Sequence, residues 1–243
     1  MSESKLLYKR VLLKISGEAL KGKQEHGFSQ DAVADVVARI KEALEMGVEI
    51  ALVVGAGNIW RGARQGSGMD RCLADNMGML ATTINSLALS DALRRHGVPS
   101  TVYSAIDMPK VAPLFVKDDA VRSMEEGRAV ILAGGSGNPF FSTDTAAVLR
   151  AAELSCDVVM MAKNIDGVYT ADPRVDPTAV KINEMTCAQI LEQGLTVIDT
   201  AAAAFAKDNG QTLLLFGITD PNNIVKIVQG ERLGTVIKGG NDA

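Results

Sequence analysis

The chain alternates between two patterns, and that alternation constrains its fold more than any other feature. Short apolar runs recur at 11–15, 50–54, 100–106, 129–133, 157–162 and 212–216. They are β-branched or Leu-rich and bounded by turn residues, as buried strands are, with 100–106 the most polar of them. Between them lie helical stretches. In 31–46, Val33, Val36, Val37, Ile40 and Leu44 form one stripe at helical spacing, and Gly47 follows as a stop. Residues 76–95 carry Met77, Leu80, Ala81, Ile84, Leu87 and Ala88, with Gly97 beyond the end. Thr186-Cys187-Ala188-Gln189 has the form of a capping box, with Gly194 as a stop. Asp199 would cap the Ala-rich 200–208, and Asp220-Pro221 would open a last helix over 221–229. Strand alternating with helix predicts an α/β fold whose mostly parallel sheet is covered on both faces. Right-handed crossovers then set the loops after successive strands along one rim, where such sheets bind ligands.

Composition narrows the chemistry. Hydrophobic residues are 47% of 243, enough for a full core and incompatible with disorder. No apolar run approaches the ~18 residues of a membrane helix, and 1–5 lacks the pattern of a signal peptide, so a soluble cytoplasmic protein with no membrane partner is expected. The net charge of −4 argues against a nucleic-acid partner bound by a bulk positive field. Cys72, Cys156 and Cys187 fit neither a disulfide frame nor a zinc knuckle and read as reduced thiols. With only His26 and His96, a histidine metal site or a Ser-His-Asp triad is a poor fit. Enzyme chemistry here would rest on Lys, Arg, Asp and backbone N–H groups, which suits phosphoryl transfer.

Four segments follow directly on apolar runs. Lys14-Ile15-Ser16-Gly17-Glu18 puts a lysine at the end of a buried strand, costly unless an anion meets it; a lysine leaving an edge strand for solvent would read the same. In Gly55-Ala56-Gly57-Asn58-Ile59-Trp60-Arg61-Gly62, small residues let a ligand approach the backbone and Arg61 can fork two phosphate oxygens. Gly134-Gly135-Ser136-Gly137-Asn138-Pro139-Phe140-Phe141-Ser142-Thr143-Asp144 runs into a helix that Ser142, Thr143 or Asp144 would cap, and whose N–H groups would suit a phosphate. Asp144 could also hold a metal or orient a lysine. Lys163-Asn164-Ile165-Asp166-Gly167-Val168-Tyr169-Thr170-Ala171-Asp172-Pro173 reads as a hairpin-like loop with an aromatic placed to meet a nucleobase. There is no G-x-x-x-x-G-K-[ST] and no G-x-G-x-x-G in the first turn, which excludes a P-loop kinase and argues against a Rossmann dehydrogenase.

Together with Asp75-Asn76-Met77-Gly78-Met79-Leu80-Ala81-Thr82, these segments resemble the bacterial uridylate kinases (UMP kinases) of the amino-acid kinase superfamily. The likeness runs from about residue 8 to about 237, and its most specific parts are 75–82 and 137–144. It implies one α/β/α sandwich domain over 8–240 with 1–7 as a tail, a homohexamer, and Mg²⁺-dependent transfer of the ATP γ-phosphoryl group to UMP in pyrimidine nucleotide biosynthesis. By resemblance, Lys14 meets the transferred phosphoryl group, Ser16 and Gly17 contact phosphate, and Gly57 and Arg61 lie at the ATP phosphates. Asp75 contacts the UMP ribose. Ser136, Gly137, Asn138, Pro139, Phe140, Phe141, Ser142 and Thr143 cradle the UMP base and phosphate. Asn164, Tyr169 and Asp172 hold the ATP nucleoside, with adenine met by Lys163 or Asn164. Asp144 and Asp199 organise the reacting groups, and Mg²⁺ is carried mainly by the ATP phosphates. Where the family often has three glycines, the middle one is Ala56 here, on the UMP side. GTP activation and UTP inhibition depend in the family on variable surface residues, of which 94–96 is a segment of that kind. Kinases acting on carbamate, acetylglutamate or aspartate share the scaffold, and a non-catalytic nucleotide-binding protein is the alternative from another class; Lys14, Arg61, Asp144 and Asp199 favour catalysis.

Overall fold

A computed structural model describes residues 6–60, 68–173 and 175–240. Arg61, expected at the ATP phosphates, lies outside them, as do residues 1–5 of the expected tail. In chain order the strands are β1 (Arg10–Ile15), β2 (Glu49–Val54), β3 (Ser100–Ser104), β4 (Ala129–Ala133), β5 (Val158–Lys163), β6 (Val168–Tyr169), β7 (Lys181–Ile182), β8 (Glu184–Thr186), β9 (Leu213–Gly217) and β10 (Thr235–Lys238). The helices are α1 (Gly17–Lys21), α2 (Gln30–Glu45), α3 (Arg71–Arg95), α4 (Lys117–Glu125), α5 (Thr143–Glu153), α6 (Cys187–Glu192), α7 (Thr200–Asp208) and α8 (Asn223–Val228).

The six apolar runs became β1 to β5 and β9, which form the parallel part of one sheet ordered β3-β4-β2-β1-β5-β9-β10-β8. The last two strands of that order run the other way: β10 pairs antiparallel with β9, and β8 pairs parallel with β10. β6 and β7 make a separate antiparallel pair after β5, the hairpin-like loop expected there. Because β1 is central, Lys14 does not leave an edge strand; it is 7% exposed.

The strands alternate sides, so each feeds two cores. Val11, Leu13 and Ile15 pack with α1, α2, α3 and α8 through residues such as Leu20, Ile40, Leu93 and Ile224. Leu12, Val53, Val159 and Met161 pack on the other face against Met124 of α4, Ala147 of α5, Ile190 of α6 and Ala203 of α7. The same parity decides where charge goes. Lys14 shares the face of Leu12, and Lys163 shares the face of Val159 and Met161. Since β1 and β5 are neighbours, both lysines emerge side by side beneath α5.

Helix boundaries follow their caps. Ser29 accepts from Ala32 N–H to start α2, Ser142 from Asp144 and Thr145 N–H to start α5, and Asp199 from Ala202 N–H to start α7. The capping box of Thr186 and Gln189 is formed in both directions. Helix α3 begins earlier than the sequence suggests, at Arg71, because Asp70 accepts from Leu73 N–H. The last helix begins at Asn223, later than expected, because Asp220 Oδ1 instead accepts from Asn222 N–H in the preceding turn. Along α3, Met77, Leu80, Ile84 and Leu87 point outward, while Thr82, Thr83, Asn85, Ser86 and Leu89 are buried.

Candidate active site

The strand-end segments converge at the carboxyl rim of the sheet. At its centre, Lys14 Nζ lies 2.8 Å from Asp144 Oδ1 and Lys163 Nζ 2.6 Å from Asp144 Oδ2, so two ammonium groups divide one carboxylate. Burial alone would push the Asp144 carboxyl up; the charges of Lys14 and Lys163 outweigh it and hold the group below the usual carboxylate range. Burial also pulls Lys163 below the ordinary lysine value, and the charge of Lys14 adds to this while Asp144 opposes it. Of the three roles open to Asp144, the structure shows it orienting lysines; the cap falls to Ser142.

Asp199 anchors the next layer. Its carboxylate accepts from the Ser142 hydroxyl, from Thr145 Oγ1 at 2.9 and 3.1 Å, and from Ala202 N–H at 2.9 Å. This ties the start of α5 to the start of α7. Beside it opens a cleft of about 530 Å³, lined by Lys14, 142–144, and the 190–200 segment that includes Leu195, Thr196 and Asp199. Sequence reasoning did not find the wall built by the α6–α7 connection; Gly194 after a capped helix is its only local mark.

A smaller hollow of about 120 Å³ lies on the other side of Ser142 and Thr143, which line both. It is lined by Ala56, Trp60, Ala74, Asp75, Gly78, Met79, Thr82, Gly135, Asn138 and Phe141. Asp75 Oδ2 accepts from Phe140 N–H at 2.8 Å and from Arg71 Nε at 2.7 Å. The Arg71 guanidinium lies 5.3 Å from the centroid of the Phe140 ring. These contacts hold Phe140 at φ +71°, a conformation that is strained for a residue with a side chain. Gly137, at φ +81°, allows the segment to pass Ala105: an added Cβ would meet Ala105 O at 2.8 Å. Ser136 Oγ and Asn138 exchange backbone hydrogen bonds that close the same turn, and Pro139 follows it.

The two phosphate-type turns also meet. Ser16 accepts from Glu18 N–H and caps α1, and Gly17 lies so near the second turn that a Cβ there would stand 2.6 Å from Gly55 O and 2.9 Å from Gly57 N. Thus Lys14, Ser16, Gly17, Ala56, Gly57, Asp75, 136–144, Lys163 and Asp199 gather at one rim. Asn164, Tyr169 and Asp172 lie on the segment after β5 and line neither depression. There Tyr169 donates to Asp166 Oδ1 at 2.8 Å.

Among the described residues, no cluster of three or more His, Cys, Asp or Glu could hold a metal ion on protein ligands alone. The oxygen donors of Asp199 and its hydroxyl partners do suit a hard cation that brings phosphate and water ligands with it.

Comparison with known proteins gives the family. Residues 9–217 match the model of the amino acid kinase family. The chain is similar to the UMP kinase of Bacillus anthracis, with 35% identity, a TM-score of 0.91, and coverage of 95% of this chain and 96% of the other. It is similar to the UMP kinase of Ureaplasma parvum at 36% identity and a TM-score of 0.89, covering 95% and 98%. The uridylate kinase of Archaeoglobus fulgidus is more distant, at 27% identity and a TM-score of 0.72, covering 93% and 99%. The chain belongs to the amino acid kinase family.

Proposed function

We propose that this member of the amino acid kinase family is a UMP kinase, transferring the γ-phosphoryl group of Mg·ATP to UMP and giving UDP and ADP in pyrimidine nucleotide biosynthesis. The observation that carries the reading is the placement of Lys14, Asp144 and Lys163 where two depressions share the wall of Ser142 and Thr143. The UMP monophosphate enters from the small hollow, with Asp75 toward its ribose and 136–143 around its base and phosphate. We place the ATP phosphates against the meeting turns of Ser16, Gly17 and Gly57, with Asn164, Tyr169 and Asp172 toward the nucleoside.

Transfer through a loose, in-line transition state needs two phosphates held end to end and positive charge on the equatorial oxygens. Lys14 supplies that charge from a strand end, a task that the family resemblance also gives to Arg61. Asp144 keeps both ammonium groups aimed at the junction. The accepting oxygen of UMP is already anionic, so no base is required, in keeping with the scarcity of histidine. Mg²⁺ carried by the triphosphate would supply further positive charge, and Asp199, held by Ser142, Thr145 and Ala202 N–H, would be the carboxylate to meet its water ligands.

No described helix is long and apolar enough to cross a membrane, and we place the reaction in the cytoplasm. We also read the enzyme as a homohexamer. On the 25-residue helix α3, Leu73, Met77, Leu80, Ile84 and Leu87 are all at least 39% exposed and repeat at seven-residue spacing. Such a stripe is self-complementary about a two-fold axis near Leu80, a fit for a second copy of this chain. It supplies one of the two interfaces a hexamer of paired subunits needs. GTP and UTP are the proposed effectors.

The test offers UMP, CMP, acetylglutamate and carbamate with Mg·ATP and follows ADP release, with UMP titrated at several GTP and UTP concentrations. UMP-selective turnover is expected. Turnover with acetylglutamate or carbamate alone would contradict the assignment.

A further inference from the structure

Asn58 and Asn85 are 1% and 0% exposed and line neither depression, yet both are polar in a core that apolar side chains would fill. Their carboxamides face each other in a reciprocal pair. Asn85 Nδ2 donates to Asn58 Oδ1 at 2.7 Å, and Asn58 Nδ2 donates to Asn85 Oδ1 at 2.9 Å. The remaining hydrogens are also used: Asn85 Nδ2 reaches Gly55 O at 2.6 Å, and Asn58 Nδ2 reaches Gly27 O at 2.9 Å. Gly27 N–H returns a bond to Asn58 O at 3.0 Å. An apolar pair would leave the Gly55 and Gly27 carbonyls without these donors, so the arrangement both stabilises the core and fixes direction.

What it directs is visible from its neighbours. Gly55 directly follows β2, and the Ser16-Gly17 turn rests directly on Gly55 and Asn58, with no room for a side chain at 17. Asn85 belongs to α3, which also holds the opposite half of the site: Thr82 Oγ1 accepts from Gly134 N–H at 3.0 Å, and Asp75 accepts from Phe140 N–H. Helix α3 is therefore bonded to the acceptor segment 134–140 at two points and to the phosphate turns through Asn85.

We propose that the Asn58–Asn85 pair is a positioning device that fixes the distance between the phosphate turns at 16–17 and 55–58 and the acceptor segment at 134–141. The proposal rests on the UMP kinase reading. Neither residue touches substrate; both set how far apart the two phosphates are held.

The experiment measures kcat and KM for UMP and ATP, per folded enzyme, in the wild type and in Asn85→Leu and Asn85→Asp, with thermal melting alongside. In Asn85→Leu, kcat falls about 10²-fold while both KM values stay within about threefold, because near-attack geometry and not binding is lost. Asn85→Asp gives a signature that stability alone does not. Its carboxylate would face two acceptors, Gly55 O and Asn58 Oδ1, and bind a proton more readily than an ordinary aspartate. The protonated acid has the shape of the amide and restores one of its two donated bonds. Its kcat relative to wild type therefore rises about tenfold between about pH 8.5 and about pH 6. A lowered melting temperature with unchanged kcat in Asn85→Leu overturns the proposal. If that variant does not fold, a flat Asn85→Asp ratio across pH overturns it. A wild type that forms no ADP with UMP overturns the functional reading instead, a result distinct from either.

Discussion

Strand β1 carries a cation near each end on the same face, and the two ends treat it differently. At the amino end, Arg10 is answered from within the protein. Its guanidinium donates to Glu49 at 2.6 Å, to Leu154 O at 3.0 Å and to Glu125 at 3.4 Å, while Asp157 accepts Lys9 and Arg10 N–H. At the carboxyl end, Lys14 meets one oxygen of a carboxylate whose other oxygen is given to Lys163. An ammonium has three donors, and a single ion pair uses one of them. Structural charge closes its bonding within the fold; charge meant for a ligand is oriented and then left with donors to spare.

Five substitutions, the last read through a titration, can break or sharpen that contrast. Lys14→Ala removes charge from the transition state and is expected to lower kcat by about 10³-fold with melting little changed. Steady-state kinetics on the folded variant would refute the contrast if kcat were unchanged. Asp144→Asn leaves the buried Lys14 and the partly buried Lys163 without their counter-charge. It should lower kcat about 10²-fold and cost about 3 kcal/mol of stability, read by denaturant unfolding. Arg10→Leu is the mirror case. Its side chain is 18% exposed, so it should cost only about 1–2 kcal/mol of stability, with kcat unchanged. A kinetic defect there would erase the distinction between the ends. Asp75→Asn keeps an acceptor for Phe140 N–H but loses its charge, and should raise the UMP KM about tenfold with kcat and the ATP KM held. An effect confined to ATP would place Asp75 on the wrong substrate.

The titration follows from signs. Asp144 is held below its ordinary 3.8, so its contribution to stability is complete above that value and lost as pH falls through the lower folded one. Lys163 is held below 10.5, so the alkaline fall of kcat/KM should begin below the ordinary lysine range. Lys163→Arg should move that limb upward; a limb that does not shift would remove Lys163 from the mechanism.

Much of this was legible in the sequence because burial on both faces leaves continuous apolar runs, and the six runs are the six parallel strands. What was not legible has physical reasons. β6, β7, β8 and β10 are two to four residues long, too short for a period to show. Helix α4 buries only Ala120, Ser123 and Met124, so its sequence reads as polar loop. On α3 the apolar stripe marks the outward face, while the buried face is carried by hydroxyls and an amide that bond to the site. Lys14 and Asp144 could each be singled out from local sequence, but their partnership with Lys163 depends on β1 and β5 being neighbours and on strand parity. The Asn58–Asn85 pair left no local signal, since each residue alone is an ordinary turn or helix asparagine.

The most direct test is a crystal structure with UMP and a non-hydrolysable ATP analogue bound together. The account predicts Lys14 Nζ within hydrogen-bond reach of the γ-phosphate, with the UMP phosphate in line on the far side of Ser142 and Thr143. Nucleotides seated elsewhere, with Lys14 still bonded only to Asp144, would contradict it.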